Sequence, residues 1–155
     1  MADIFRKDFR EFITAFNDAE VEYVLVGGYS VMLHGYSRPT GDLDIWVNKT
    51  SSNYDKLCKA FVLFGLPLLN MNLSKFLDNS VYDVFSFGRP PLAIDILTNL
   101  KGLDFDEAYK KSEMIEVDEI RVRLIHYNHL IEAKKAAGRT KDLNDIENLE
   151  RIKDL

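Results

Sequence analysis

Phe5, Phe9, Phe12, Ile13 and Phe16 recur every three or four residues between charged positions. That spacing predicts an amphipathic helix at the start of the chain, with its aromatic stripe turned inward. The run VEYVLV is short, apolar and rich in β-branched and aromatic residues, which predicts a buried strand. It stops at Gly27-Gly28, and a second helix is expected over about Tyr29 to His34. GDLDIWV alternates and reads as a strand. Tyr54, Leu57, Cys58, Phe61 and Phe64 predict another helix, with Ser51 and Ser52 as cap candidates. VYDVFSF and LAIDILT read as strands separated by a GRPP turn. MIEVDEIRVRLI reads as a hairpin turning at Asp118-Glu119. Two helices, about Asn128 to Ala137 and Lys141 to Ile152, close the chain around a break at Gly138. Strands and helices mix without strict βαβ alternation, so the expected class is α+β, a mixed-sheet α/β domain.

Composition narrows this picture. A length of 155 residues with 46% hydrophobic content fits one globular domain. The net charge of −5 provides no global field for nucleic acid. A single cysteine, Cys58, cannot form an internal disulfide and matches no metal spacing, which favours a reducing cytoplasm. The first residues alternate charges and lack the apolar stretch of a signal peptide. The longest apolar run, AFVLFGLPLL, is too short and too interrupted to span a membrane.

Asp42 and Asp44 lie two apart on one predicted strand, so they share a face about 6.5 Å apart along it. Ordinary surface strands also carry acids. The alternative is a divalent-cation site, since paired carboxylates can hold Mg²⁺ ions about 3.5–4 Å apart. Asp95 favours the second reading. It interrupts PLAIDILTNL, which is otherwise apolar on both faces, and an unpaired buried charge costs several kcal/mol unless a partner or metal meets it.

Gly27-Gly28 lies between a strand and a helix, where glycines let backbone approach a ligand and helix amides can face phosphate. Ser30 adds a hydroxyl donor. Neither a Walker A nor a Rossmann fingerprint is present. Phosphate donors, two adjacent carboxylates and a third on a nearby strand together make a nucleoside-triphosphate site.

Gly27-Gly28, a thirteen-residue spacer and Asp42-Leu43-Asp44-Ile45 resemble the signature of the DNA polymerase beta–like nucleotidyltransferase superfamily. LIEAKKAAGRTKDLNDIENL resembles the Lys…Arg-x-Lys-Asp-x-x-Asp segment of one branch, which contains the type IV abortive-infection toxin nucleotidyltransferases. GYSRPTGDLDIWV and LKGLDFDEAY also look like that branch. The resemblance implies a twisted mixed sheet flanked by helices, with a C-terminal helical pair. It implies transfer of a nucleoside monophosphate from an NTP to an acceptor hydroxyl with loss of pyrophosphate. Asp42, Asp44 and Asp95 would bind two Mg²⁺ ions, or Mn²⁺, and carry the catalysis. The acceptor is open between RNA, a protein and a small molecule such as an antibiotic. A toxin or antitoxin partner is a further implication, and a binding module with little catalysis is the alternative from another class.

KKAAGRTK holds Lys134, Lys135, Arg139 and Lys141 and no acid. Cations suit a helix C-terminus in any case. Lys134 and Arg139 are also placed to neutralise charge on a leaving pyrophosphate. Asp142 and Asp145 share a helix face; they either orient these cations or are ordinary acids near a helix start. Arg38 either binds phosphate or pairs with an aspartate. Trp46 is expected to pack against a helix rather than stack a base.

Overall fold

A computed structural model describes residues 4–78, 80, 83–89 and 92–155. Helix α1 (Lys7–Asp18) leads into β1 (Tyr23–Val26), α2 (Gly27–Leu33), β2 (Asp42–Val47) and α3 (Ser51–Phe64). Then come α4 (Leu73–Leu77), β3 (Val84–Arg89), β4 (Leu92–Leu97), α5 (Phe105–Lys111), β5 (Glu113–Val117) and β6 (Ile120–Leu124). Helices α6 (Tyr127–Ala137) and α7 (Thr140–Lys153) complete it.

The six strands form one sheet in the order β3-β4-β2-β1-β6-β5. Pairing is parallel for β2–β4 and β1–β6 and antiparallel for the rest, so the sheet is mixed, as the chain order of elements led us to expect. The two faces have different jobs. Leu43 and Ile45 in β2 are fully buried, and in register with them lie Ile94 and Ile96 of β4. Phe87, opposite Ile94, meets Phe61 of α3 edge-on at 4.8 Å. Phe12 of α1 meets the same Phe61 at 5.6 Å, so the aromatic stripe of the first helix reaches the sheet through α3. The opposite face carries Asp44 and Trp46. Trp46 is buried edge-on against Phe105 of α5 at 5.1 Å, which is the helix packing expected of it.

Local differences have plain causes. Helix α2 begins at Gly27 itself, two residues before the expected start. The cap of α3 is Thr50, not Ser51 or Ser52: its extended backbone lets Oγ1 accept from Asn53 N–H at 3.1 Å. Gly88 and Arg89, expected in a turn, extend β3 instead; Pro90 and Pro91 of that turn, and Val81 and Tyr82 of the preceding segment, lie outside the described residues. The hairpin turns where expected, with Asp118 and Glu119 both at positive φ (51° and 69°), the backbone that matches strand twist in a two-residue turn. Gly138 ends α6 in the left-handed conformation at φ 63°. Among the described residues, no helix is long and apolar enough to cross a membrane.

Candidate active site

Strand register builds the first half of the site. Val26, Asp44, Asp95 and Ser86 stand in one row across β1, β2, β4 and β3, since each pairs with the next. Residues opposite one another in a sheet share a face, so Asp44 and Asp95 are brought side by side. Ser86 Oγ donates to Asp95 Oδ1 at 2.7 Å. Asp42 is two positions earlier on β2, opposite Ala93, and is exposed at the rim. Among the described residues, no three His, Cys, Asp or Glu side chains group tightly enough to hold a metal ion. The three aspartates are thus a close pair with a third carboxylate at its margin.

The pair is short of positive charge. The Asp44 carboxyl is pushed up from 3.8 to about 6, first by burial, then by the charges of Asp95 and Asp42, with Lys134 pulling the other way. Hard oxygen donors that repel one another are the donor chemistry Mg²⁺ and Mn²⁺ accept, so the pair fits such an ion in donor type, though not, among the described residues, as a closed three-carboxylate set.

The glycine turn packs directly on this pair. Gly27 follows Val26 at φ 70°, and a Cβ there would lie 2.8 Å from both Cβ and Cγ of Asp44. A Cβ on Gly28 would lie 2.9 Å from Cβ of Thr40. Close backbone approach is therefore the reason for both glycines, and the group first approached is a site carboxylate. Ser30 departs from its expected role. It is fully buried, and its hydroxyl donates to the Gly27 carbonyl at 2.6 Å, so it braces the turn instead of facing a ligand.

The C-terminal helices supply the other half. Lys134 is buried and its Nζ lies 3.2 Å from Asp142 Oδ1 and 3.0 Å from Asp145 Oδ2. Arg139 Nε donates to Asp142 Oδ2 at 2.6 Å, while the Arg139 side chain stays 60% exposed. Arg38 reaches from the loop before β2 and grips Asp145 with two parallel bonds of 2.9 Å. Asp142 and Asp145 are 0% and 1% exposed, which removes the surface-acid reading for both. Burial pushes Asp142 up, but its bonds to Arg139 and Lys134 outweigh that and hold it below the usual carboxylate range. Between the two open alternatives, Arg38 takes the aspartate. Lys135 is exposed.

These halves meet at a cleft of about 120 Å³, where Asp44 and Gly27 face Lys134 and Arg139. Sequence reasoning missed its remaining wall: Leu97, Leu100, Ile125 and Leu130 are apolar residues indistinguishable, one by one, from core. It also missed Ser86 and Thr40. A signal for Gly102 was available. It sits at φ 86°, and a Cβ there would lie 2.9 Å from Cβ of Ala136, so the loop after β4 lies against α6.

No protein-family model matches the chain, and no curated protein does. Solved structures do resemble it. A Thermotoga maritima protein provisionally described as a nucleotidyltransferase aligns over 92% of this chain and 90% of its own, at 12% identity and TM-score 0.59. A lincosamide antibiotic adenylyltransferase in its lincomycin-bound form aligns over 96% and 98%, at 16% identity and TM-score 0.62. An antigenic nucleotidyltransferase-like protein from Paracoccidioides brasiliensis aligns over 94% and 75%, at 13% identity and TM-score 0.52. The chain shares the nucleotidyltransferase fold with them.

Proposed function

We propose that the protein is a metal-dependent nucleotidyltransferase that moves a nucleoside monophosphate from an NTP to an acceptor hydroxyl. One observation carries this reading: Asp44, buried beside the like charge of Asp95, faces the cations Lys134 and Arg139 across a small cleft. Acid on one lip and base on the other suit a reaction that gathers charge at an acceptor oxygen and at a leaving pyrophosphate.

Asp44 and Asp95, with Asp42 from the rim, would hold Mg²⁺ or Mn²⁺, which when bound supplies counter-charge and polarises phosphoryl oxygens. Asp95, its other face occupied by the Ser86 hydroxyl, takes the acceptor proton as the new O–P bond forms and the bond to pyrophosphate breaks. Lys134 has three N–H donors and commits two to Asp142 and Asp145, leaving one for a phosphate oxygen. The exposed part of Arg139 is a second cation for the leaving group. Gly27 and Gly28 bring backbone to the same place.

Calorimetric titration of ATP, GTP, CTP and UTP with Mg²⁺ tests the reading. Wild type is expected to bind and Asp44→Ala to lose that binding; equal binding by both would overturn it. Incubation with α-labelled NTP and separate RNA, protein and metabolite fractions then identifies the acceptor by the fraction that gains label. Likeness to the lincosamide enzyme over nearly the whole of both chains makes small hydroxyl compounds the first fraction to test. A toxin or antitoxin role predicts a stable heteromeric complex on pull-down.

A further inference from the structure

The cleft is chemically lopsided. Four lining side chains are charged, Asp44, Lys134, Arg139 and Asp142; apart from Gly27 the others are aliphatic, Leu97, Leu100, Ile125, Leu130 and Ala133 among them. The aliphatic part of the lining has no side chain able to donate or accept a hydrogen bond. The whole cleft, at about 120 Å³, has room for a ring, not for a whole nucleotide.

Resting on the function proposed above, we infer that this aliphatic lining receives the base of the donor nucleotide, and receives it by packing alone. The donor is therefore not selected by its base. Two observations favour the donor over the acceptor as occupant. The cations placed for a phosphate chain line the same cleft, and in an NTP the base is tethered to that chain. The acceptor hydroxyl must come in line with the departing pyrophosphate, from the opposite side of the α-phosphate. Asp42 and Asp95 lie outside the cleft lining, with Asp42 exposed, so the open approach is on their side.

An apolar wall discriminates weakly. Size differences there are worth about 10–200-fold, whereas a site that hydrogen-bonds a substrate edge rejects the wrong one by about 10⁴–10⁵-fold. ATP and GTP are therefore expected to bind within about threefold of each other, and CTP and UTP about tenfold more weakly because a smaller ring covers less wall. Ala133 is a helical position facing the cleft, and Ala133→Leu keeps helix propensity while filling the space. That variant is expected to bind ATP at least about tenfold more weakly, a loss of about 1.4 kcal/mol, and to bind inorganic tripolyphosphate as wild type does.

Calorimetry on the full chain with Mg²⁺, using the four NTPs and tripolyphosphate, reads all of this. A preference of about 100-fold or more for ATP over GTP, or the reverse, overturns the inference without any variant. Unchanged ATP affinity in Ala133→Leu overturns it too, and with NTP and tripolyphosphate still bound by wild type it leaves the proposed function standing. If wild type binds neither NTP nor tripolyphosphate, both fall together.

Discussion

Two pairs of buried or half-buried aspartates each give one member, Asp44 or Asp142, to the lining of one cleft, and they are treated oppositely. Asp142 and Asp145 share Lys134, and each holds an arginine besides, so every negative charge has a cation within 3.2 Å. Asp44 and Asp95 have each other, a serine hydroxyl and a glycine backbone. Asp142 in the first pair is held ionised below the usual range, and Asp44 in the second is pushed up. On the function proposed above, the difference separates carboxylates that maintain a shape from carboxylates kept ready for a charge that arrives from outside. Burial alone would not have told them apart; the partner set does.

The contrast can be broken most forcefully at Asp145. Asp145→Asn strips Lys134 and Arg38 of a shared counter-charge, and breaking a buried pair in this way costs about 3–5 kcal/mol. Urea unfolding is expected to show that loss. Asp44→Asn should do the reverse to stability, leaving it unchanged or raising it, since a repelled charge has gone. Its effect falls on transfer, expected to drop by about 10²–10³-fold in a labelled-nucleotide assay. If Asn at 44 destabilises as much as Asn at 145, the two pairs are not different in kind.

Acidity sharpens the same contrast. Folded Asp44 keeps its proton up to about pH 6, whereas the unfolded chain releases it near 3.8. The native state therefore binds more protons in that window, and the contribution of Asp44 to stability falls as pH rises from about 4 to about 6. Subtracting the Asp44→Asn melting curve from that of wild type should isolate this slope. Millimolar Mg²⁺ at pH 8 should raise the melting temperature of wild type and not of the variant. Gly27→Ala tests the turn between the pairs: positive φ costs about 1–2 kcal/mol, and contact with Asp44 adds to it, readable by thermal melting. Lys135→Ala, at the exposed neighbour of Lys134, should change stability by no more than about 0.5 kcal/mol.

Legibility followed distance along the chain. The phenylalanine stripe of α1, the alternation in β2 and the hairpin at Asp118-Glu119 are written in residues a few positions apart, and all three were readable. Helix α4 has five residues and helix α5 seven, so neither offers enough periods to stand out, although Asp104 caps α5 through Glu107 N–H. The side-by-side placement of Asp44 and Asp95 depends on which strands become neighbours, and no local pattern states that. Arg38 and Asp145 are 107 residues apart. Their types announced that each needed a partner, and only the packing of α7 beside the loop named it. Ser30 misled because a serine in a first helical turn reads equally well as a ligand donor and as a brace.

The parallel pairing of β1 with β6 sets Leu25 against Leu124, and Phe5 N–H donates to Asp118 Oδ2 across 113 residues. Contacts so far apart in sequence close late in folding. On a ribosome, the glycine turn and the strand aspartates emerge long before Lys134 and Arg139 exist. The half of the cleft that repels itself is made first, and the half that answers it is made only after β5 and β6.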